Sequence, residues 1–140
     1  MSRVRAFLTL SAVPSSPDVG LLLLRLWLGA SMFALHGLGK VARLQAEPVQ
    51  FADPFGFGAG ASLLLATMAE AGASLLLVLG LGTRWAALAL SVTMATAFVF
   101  AHGMALSGEH SGELPFVYAA GFVALLLMGP GRYSVDERLR

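Results

Sequence analysis

Apolar residues run along this chain in four blocks, separated by short clusters of glycine, proline and charge. The blocks cover residues 19–38, 60–81, 84–106 and 114–128. A helix needs about 20 mostly apolar residues to cross a hydrocarbon core about 30 Å thick. The first three blocks meet that length, and the fourth is short. The pattern predicts an all-α fold, an integral membrane four-helix bundle with a long first non-cytoplasmic loop. It divides the chain into a leader over residues 1–17, a four-span domain over 18–132 and a tail over 133–140. Asp18, after Pro14 and Pro17, is the expected N-cap of the first span. Gly82 and Thr83 leave room only for a tight hairpin between spans two and three. Pro115 opens the fourth block, and Gly129-Pro130-Gly131 closes it.

Composition agrees with the pattern. Of 140 residues, 57% are hydrophobic and 12% charged, against roughly 45–50% and about 25% in ordinary soluble domains. A formal net charge of +1 gives no basic footprint for nucleic acid, so that class of partner is excluded and the lipid bilayer is the first partner. The absence of cysteine removes disulfides, thiolate metal sites and cysteine nucleophiles. No phosphate-binding glycine loop or nucleophile elbow is present, and catalytic residues stay unknown. An even number of spans puts both termini on one side. Arg3, Arg5, Arg84, Arg132, Arg138 and Arg140 lie on that side, and Lys40 and Arg43 on the other, which predicts cytoplasmic termini. Trp27 and Trp85 suit an aromatic belt.

Two segments stay open. Residues 1–13 superficially resemble a signal peptide but lack an Ala-x-Ala site, so an interfacial or disordered leader is expected. The loop over 41–59 carries Phe51, Phe55 and Phe57; it either folds back onto the membrane or is an ordinary loop with interfacial aromatics. Ala66, Ala69, Gly72 and Ala73 in span two, and Ala89, Thr93, Ala97, Ala101 and Ala105 in span three, form small-residue ladders. In lipid such ladders permit close helix packing, which predicts that span three is the central, most enclosed helix.

Ionisable residues inside spans are costly, about 2.5–3.5 kcal/mol each at mid-membrane on insertion scales. Arg25 lies about 10 Å and Glu70 about 18 Å from the terminal-side boundary, counting 1.5 Å per residue. An Arg25–Glu70 pair therefore fits; the alternative has Arg25 snorkelling to headgroups and a protonated Glu70 against carbonyls. His36 returns to within roughly 20° of the Arg25 face, and Lys40 lies near the same stripe. His102 closes span three, Glu109, His110 and Glu113 follow in the last loop, and Tyr118 enters span four. These positions predict a polar cavity opening away from the termini, with Glu70 at its floor. No HExxH or comparable spacing supports a metal, and His36 and His102 as haem ligands lack supporting motifs. A histidine, an acid and a tyrosine beside an apolar bundle fit a quinone or similar ring and its protons. The competing reading makes His102 and His110 satisfied interfacial residues.

The stretch from Arg25 through Leu-Trp-Leu-Gly to His36-Gly-Leu-Gly-Lys40, then Ala69-Glu70 with Gly72, Leu79-Gly80-Leu81-Gly82-Thr83-Arg84, His102 and Gly129-Pro130-Gly131-Arg132, resembles DoxX-type membrane proteins over residues 21–136. The resemblance implies a four-helix bacterial inner-membrane protein. The family takes its name from a small subunit associated with thiosulfate:quinone oxidoreductase, and relatives are linked to quinone or catechol handling and oxidative stress. It carries over Arg25, His36, Lys40, Glu70, Arg84 and His102 as a binding or structural network; the loop over 108–113 matches less clearly. The resulting expectation is an accessory or quinone/phenolic-binding component of a membrane redox system, with a possible redox partner subunit; any enzymatic role would be that of an oxidoreductase subunit acting with a quinone. The alternatives are a non-catalytic partner or scaffold with structural charges, and a small-solute or proton-coupled transporter working as a homo-oligomer.

Overall fold

The computed structural model of the protein describes residues 3–140. A short leader helix, Arg3–Leu8, precedes the first span, Pro17–Arg43. The second span is Ala59–Leu79, the third Thr83–Ala101 and the fourth helix Glu113–Met128; a tail helix, Val135–Arg138, follows. The first three are long and apolar enough to cross a membrane. At 1.5 Å per residue the fourth reaches about 24 Å, the shortfall its sequence implied.

The first span starts one residue before Asp18, which corrects the expected cap. Ser16 is the N-cap and its side chain accepts from the Val19 amide at 3.4 Å, with Pro17 at the first helical position, where its missing N–H costs nothing. Asp18 instead accepts the Arg132 amide at 2.9 Å. That bond ties the start of the first span to the end of the fourth helix, so both ends of the bundle's chain lie on one side.

The hydrophobic core gathers residues from all four main helices. Met32, Leu77, Leu90, Phe122 and Leu125 are fully buried in it, and the third span and fourth helix make the most extensive contact. Gly29 and Gly37, two turns apart, bring the first span onto the backbone of the second. A Cβ at Gly29 would lie 2.9 Å from the Ser74 carbonyl oxygen, and one at Gly37 2.6 Å from that of Glu70. Bilayer contact accounts for the opposite surfaces: Trp27, Leu35, Trp85 and Leu127 are each more than two-thirds exposed.

Enclosure differs from the expectation. In the second span 44% of the most apolar stretch is buried, against 22% in the third. The cause is the alanine ladder. Ala89, Thr93, Ala97 and Ala101 line a cavity, and it is Ala86, Ala87, Leu90, Ser91 and Met94 that are buried.

The expected Arg25–Glu70 pair does not form. Arg25 is completely buried and points toward the terminal end, where Nη1 donates to the Leu77 carbonyl at 3.3 Å and Nη2 to the Tyr133 carbonyl at 2.7 Å. The tail provides the nearer acceptor, and a carbonyl three residues before a left-handed Gly80 (φ 71°) supplies the other. Asp136 completes this latch. Its carboxylate accepts the amides of Gly82 at 2.6 Å and Thr83 at 2.8 Å, capping the third span, and its own amide donates to the Gly80 carbonyl at 2.9 Å. Partial burial acts to raise the Asp136 pKa, but the Thr83 and Gly82 bonds and the Arg140 charge outweigh it and hold the carboxyl below its ordinary value.

Candidate functional site

Each of the three membrane-length spans contains a π-helical turn: Phe33–Gly37, Met68–Ala73 and Ala97–Ala101. Such turns insert a residue into the i→i−4 ladder and re-aim the side chains beyond it, often at functional sites. Here the first contains His36, the second contains Glu70, and the third ends at His102. The first two meet at Gly37, where a Cβ would lie 2.9 Å from Ala71 Cα. Only glycine allows the two distorted backbones this approach.

Toward the loop end lies a cavity of about 940 Å³. One wall is Ala66, Ala69 and Ala73; the facing wall is Ala89, Thr93, Ala97 and Ala101. Small side chains at a spacing of three or four residues leave this volume unfilled. Lys40 and His36 of the first span, Glu70 of the second and Tyr118 of the fourth helix are among its polar groups. Lys40 Nζ pairs with Glu70 Oε2 at 2.5 Å, with side chains 19% and 6% exposed, so the pair is largely shielded from solvent. Glu70 thus finds its partner on the first span as foreseen, but in Lys40 instead of Arg25. The His36 and Tyr118 rings meet in a T-shaped arrangement at 5.9 Å between centroids and 84° between planes. Neither His36 nitrogen has a protein hydrogen-bond partner among the described residues. Tyr118 is held in place by stacking on Phe122 at 5.7 Å and by donating to Ser31 Oγ at 2.8 Å, which itself donates to the Trp27 carbonyl at 2.6 Å.

The loop over residues 44–58 lines part of the opening. Phe51, Phe55 and Phe57 line the cavity, and Phe55 contacts Phe100 of the third span at 5.5 Å between rings. Asp53 fixes this fold-back. Its carboxylate accepts from Ser62 Oγ at 2.7 Å and from the amides of Gly58 at 2.8 Å and Phe57 at 2.9 Å. The Ser62 hydroxyl first, then the Gly58 amide, hold its pKa below the ordinary carboxylate value. Sequence reasoning passed over Asp53, although an aspartate shortly before Gly58 and Ser62 at a helix start is a turn-and-cap signal.

The structure therefore brings His36, Lys40, Glu70, His102 and Tyr118 to one cavity. His102 sits at its rim with Nδ1 3.0 Å from the His110 carbonyl oxygen, so His110 contributes backbone only. Three other candidates lie elsewhere. Arg25 belongs to the terminal latch. Arg84 is at the same end, with Nη2 3.4 Å from the Leu127 carbonyl, a cation at the negative end of the fourth helix. Glu113 is exposed in the first turn of that helix, favourable for the opposite dipole end and outside the cavity. No group of three histidine or acidic side chains suited to a metal occurs among the described residues.

An apolar helical bundle whose spans open at one end around a shielded ion pair, a histidine and a tyrosine defines a polytopic membrane protein with a small-molecule-sized cavity. The chain belongs to the DoxX family, whose family model matches residues 20–103. That match holds His36, Lys40, Glu70 and His102 and stops before the fourth helix and tail, short of the resemblance read through residue 136. Comparisons with curated proteins and with solved structures find no match.

Proposed function

We propose that this DoxX protein binds a quinone-like or phenolic ring in the loop-end cavity, as a component of a membrane redox system. The cavity itself carries the reading. Its volume of about 940 Å³ is at the upper end of the roughly 300–1,000 Å³ typical of small-molecule sites, which are mostly apolar with a few converging polar groups. A quinone presents carbonyl acceptors, and its reduced form presents hydroxyl donors. His36 serves either form, because a neutral imidazole both donates and accepts. Lys40 supplies a charged donor and Glu70 an acceptor within the same site, while Tyr118 offers an aromatic edge. His102 and the phenylalanines of the loop close the rim.

Purified protein should be stabilised by quinones or catechols in a thermal unfolding series, with a midpoint rise that His36→Ala abolishes. An unchanged midpoint across quinones differing in ring substitution and tail length, in protein of intact helicity, overturns the reading. It would favour the scaffold alternative, which draws its support from the terminal latch, where both Arg25 Nη atoms and the Asp136 carboxylate bond to backbone.

The same proposal places the chain in a bacterial inner membrane with cytoplasmic termini, on the excess of arginine at the terminal end. Because the sequence has no cysteine, Leu139→Cys and Glu109→Cys each introduce a single thiol. In intact spheroplasts a membrane-impermeant maleimide should label the Glu109→Cys protein and spare Leu139→Cys. The opposite pattern reverses the orientation.

A further inference from the structure

A second cavity, about 460 Å³, lies at the terminal end between the start of the third span and the end of the fourth helix. Arg84, Arg132 and Arg140 face it, opposed by Asp18 and Glu137. The acidic groups are already engaged. Asp18 accepts the Arg132 amide, Glu137 pairs with Arg140 at 3.2 Å, and the neighbouring Asp136 is held by the Gly82 and Thr83 amides. The guanidinium groups of Arg84 and Arg132 are the unspent charge. Arg84 makes one long bond, 3.4 Å to the Leu127 carbonyl, and the Arg132 side chain makes none among the described residues. A guanidinium carries five N–H donors in a fixed fork that matches phosphate oxygens.

What surrounds the notch selects the kind of phosphate. Met128 lines it and is 58% exposed, and Leu127 on the fourth helix and Leu88 and Trp85 on the third span are exposed apolar side chains of the two helices that border it. Leu88 follows Arg84 by one helical turn on the same face. The arginines thus stand at the head of an apolar strip that faces the bilayer. Free phosphate would use only the arginines, whereas a phospholipid uses both features. Basic pockets between membrane helices bind lipid headgroups on this physical basis.

We propose that this notch is a binding site for the phosphate of an anionic membrane lipid, held by Arg84 and Arg132 with its acyl chains along Leu88 and Leu127. The site is independent of the loop-end cavity and of whatever that cavity binds.

The test uses the full chain in zwitterionic detergent, titrated with phosphatidylglycerol, with phosphatidylcholine of the same chains, or with inorganic phosphate. Phosphatidylglycerol should raise the thermal unfolding midpoint by at least about 3 °C, and the other two by much less. Arg84→Gln with Arg132→Gln should remove the difference and weaken the apparent affinity at least about tenfold. Arg3→Gln with Arg138→Gln, the same charge removed outside the notch, should retain it. Should the double change at Arg84 and Arg132 fail to fold, Arg132→Gln alone serves, since that side chain makes no internal bond. The proposal fails if the two lipids stabilise equally, if inorganic phosphate reproduces the effect, or if the Arg3/Arg138 variant loses as much as the notch variant.

Discussion

Replacing Gly80 with valine should prevent the protein from reaching a stable folded state. Gly80 is in the left-handed region at φ 71°, which costs a side-chain-bearing residue roughly 1–2 kcal/mol. Its added carbons would also meet the Arg25 guanidinium and the Ser134 Cβ. Displacing Arg25 breaks two hydrogen bonds from a charged donor, each worth about 1.5–3 kcal/mol, and leaves a buried cation facing unpaired carbonyls. The sum, about 4 kcal/mol or more, rivals the whole net stability of many domains. Size-exclusion chromatography after extraction should show aggregate, with little monodisperse protein. Gly20→Ala is the control, because a Cβ there has open space around it, and it should behave like the parent. A monodisperse Gly80→Val protein with the parent's unfolding midpoint would show that the latch contributes little.

The second large effect concerns the Lys40–Glu70 pair. Lys40→Met leaves Glu70, 5% exposed, without its cation, and should destabilise by about 3 kcal/mol, within the range for breaking a buried pair. Glu70→Leu should cost less, because Lys40 sits nearer the cavity mouth and its flexible stem can carry the ammonium to water. Changing both residues removes the need for pairing and should restore most of the stability. Equilibrium unfolding in mixed micelles measures all three. Ligand binding separates structure from function: if the pair takes part in recognition, the restored double variant still fails to bind. Additive losses in the double variant would mean that the two residues act independently.

Much of the architecture was legible in the apolar blocks. Bilayer thickness constrains span length strongly, so the fourth helix was placed within one residue and the glycine-rich hairpin was correctly tight. Side-chain pairing was less legible. Rise per residue put Arg25 and Glu70 within reach of each other, but such arithmetic carries no information on the path of the tail, which supplies the Tyr133 carbonyl. Nor does it include the extra residue of a π turn, which changes where Glu70 and Lys40 point. The alanine ladder shows a deeper ambiguity. Small residues at helical spacing permit close approach, and equally leave space when the opposing helix also presents alanine. Only the arrangement of the helices decides between the two, and here it produces a cavity. His36, Lys40, Glu70, His102 and Tyr118 were identifiable because polar side chains in an apolar block demand a partner or a purpose.

The latch also bears on the order in which the protein can be made. Arg25 enters the bilayer with the first span, more than a hundred residues before Tyr133 and Asp136 are synthesised. Until the tail emerges, the arginine has no Tyr133 carbonyl to bind and the third span has no Asp136 at its start. A chain stalled or cut before residue 133 would hold its spans in the membrane with a buried cation that lacks the nearer of its two carbonyl acceptors. Assembly of the bundle is thereby linked to synthesis of the segment that follows the fourth helix.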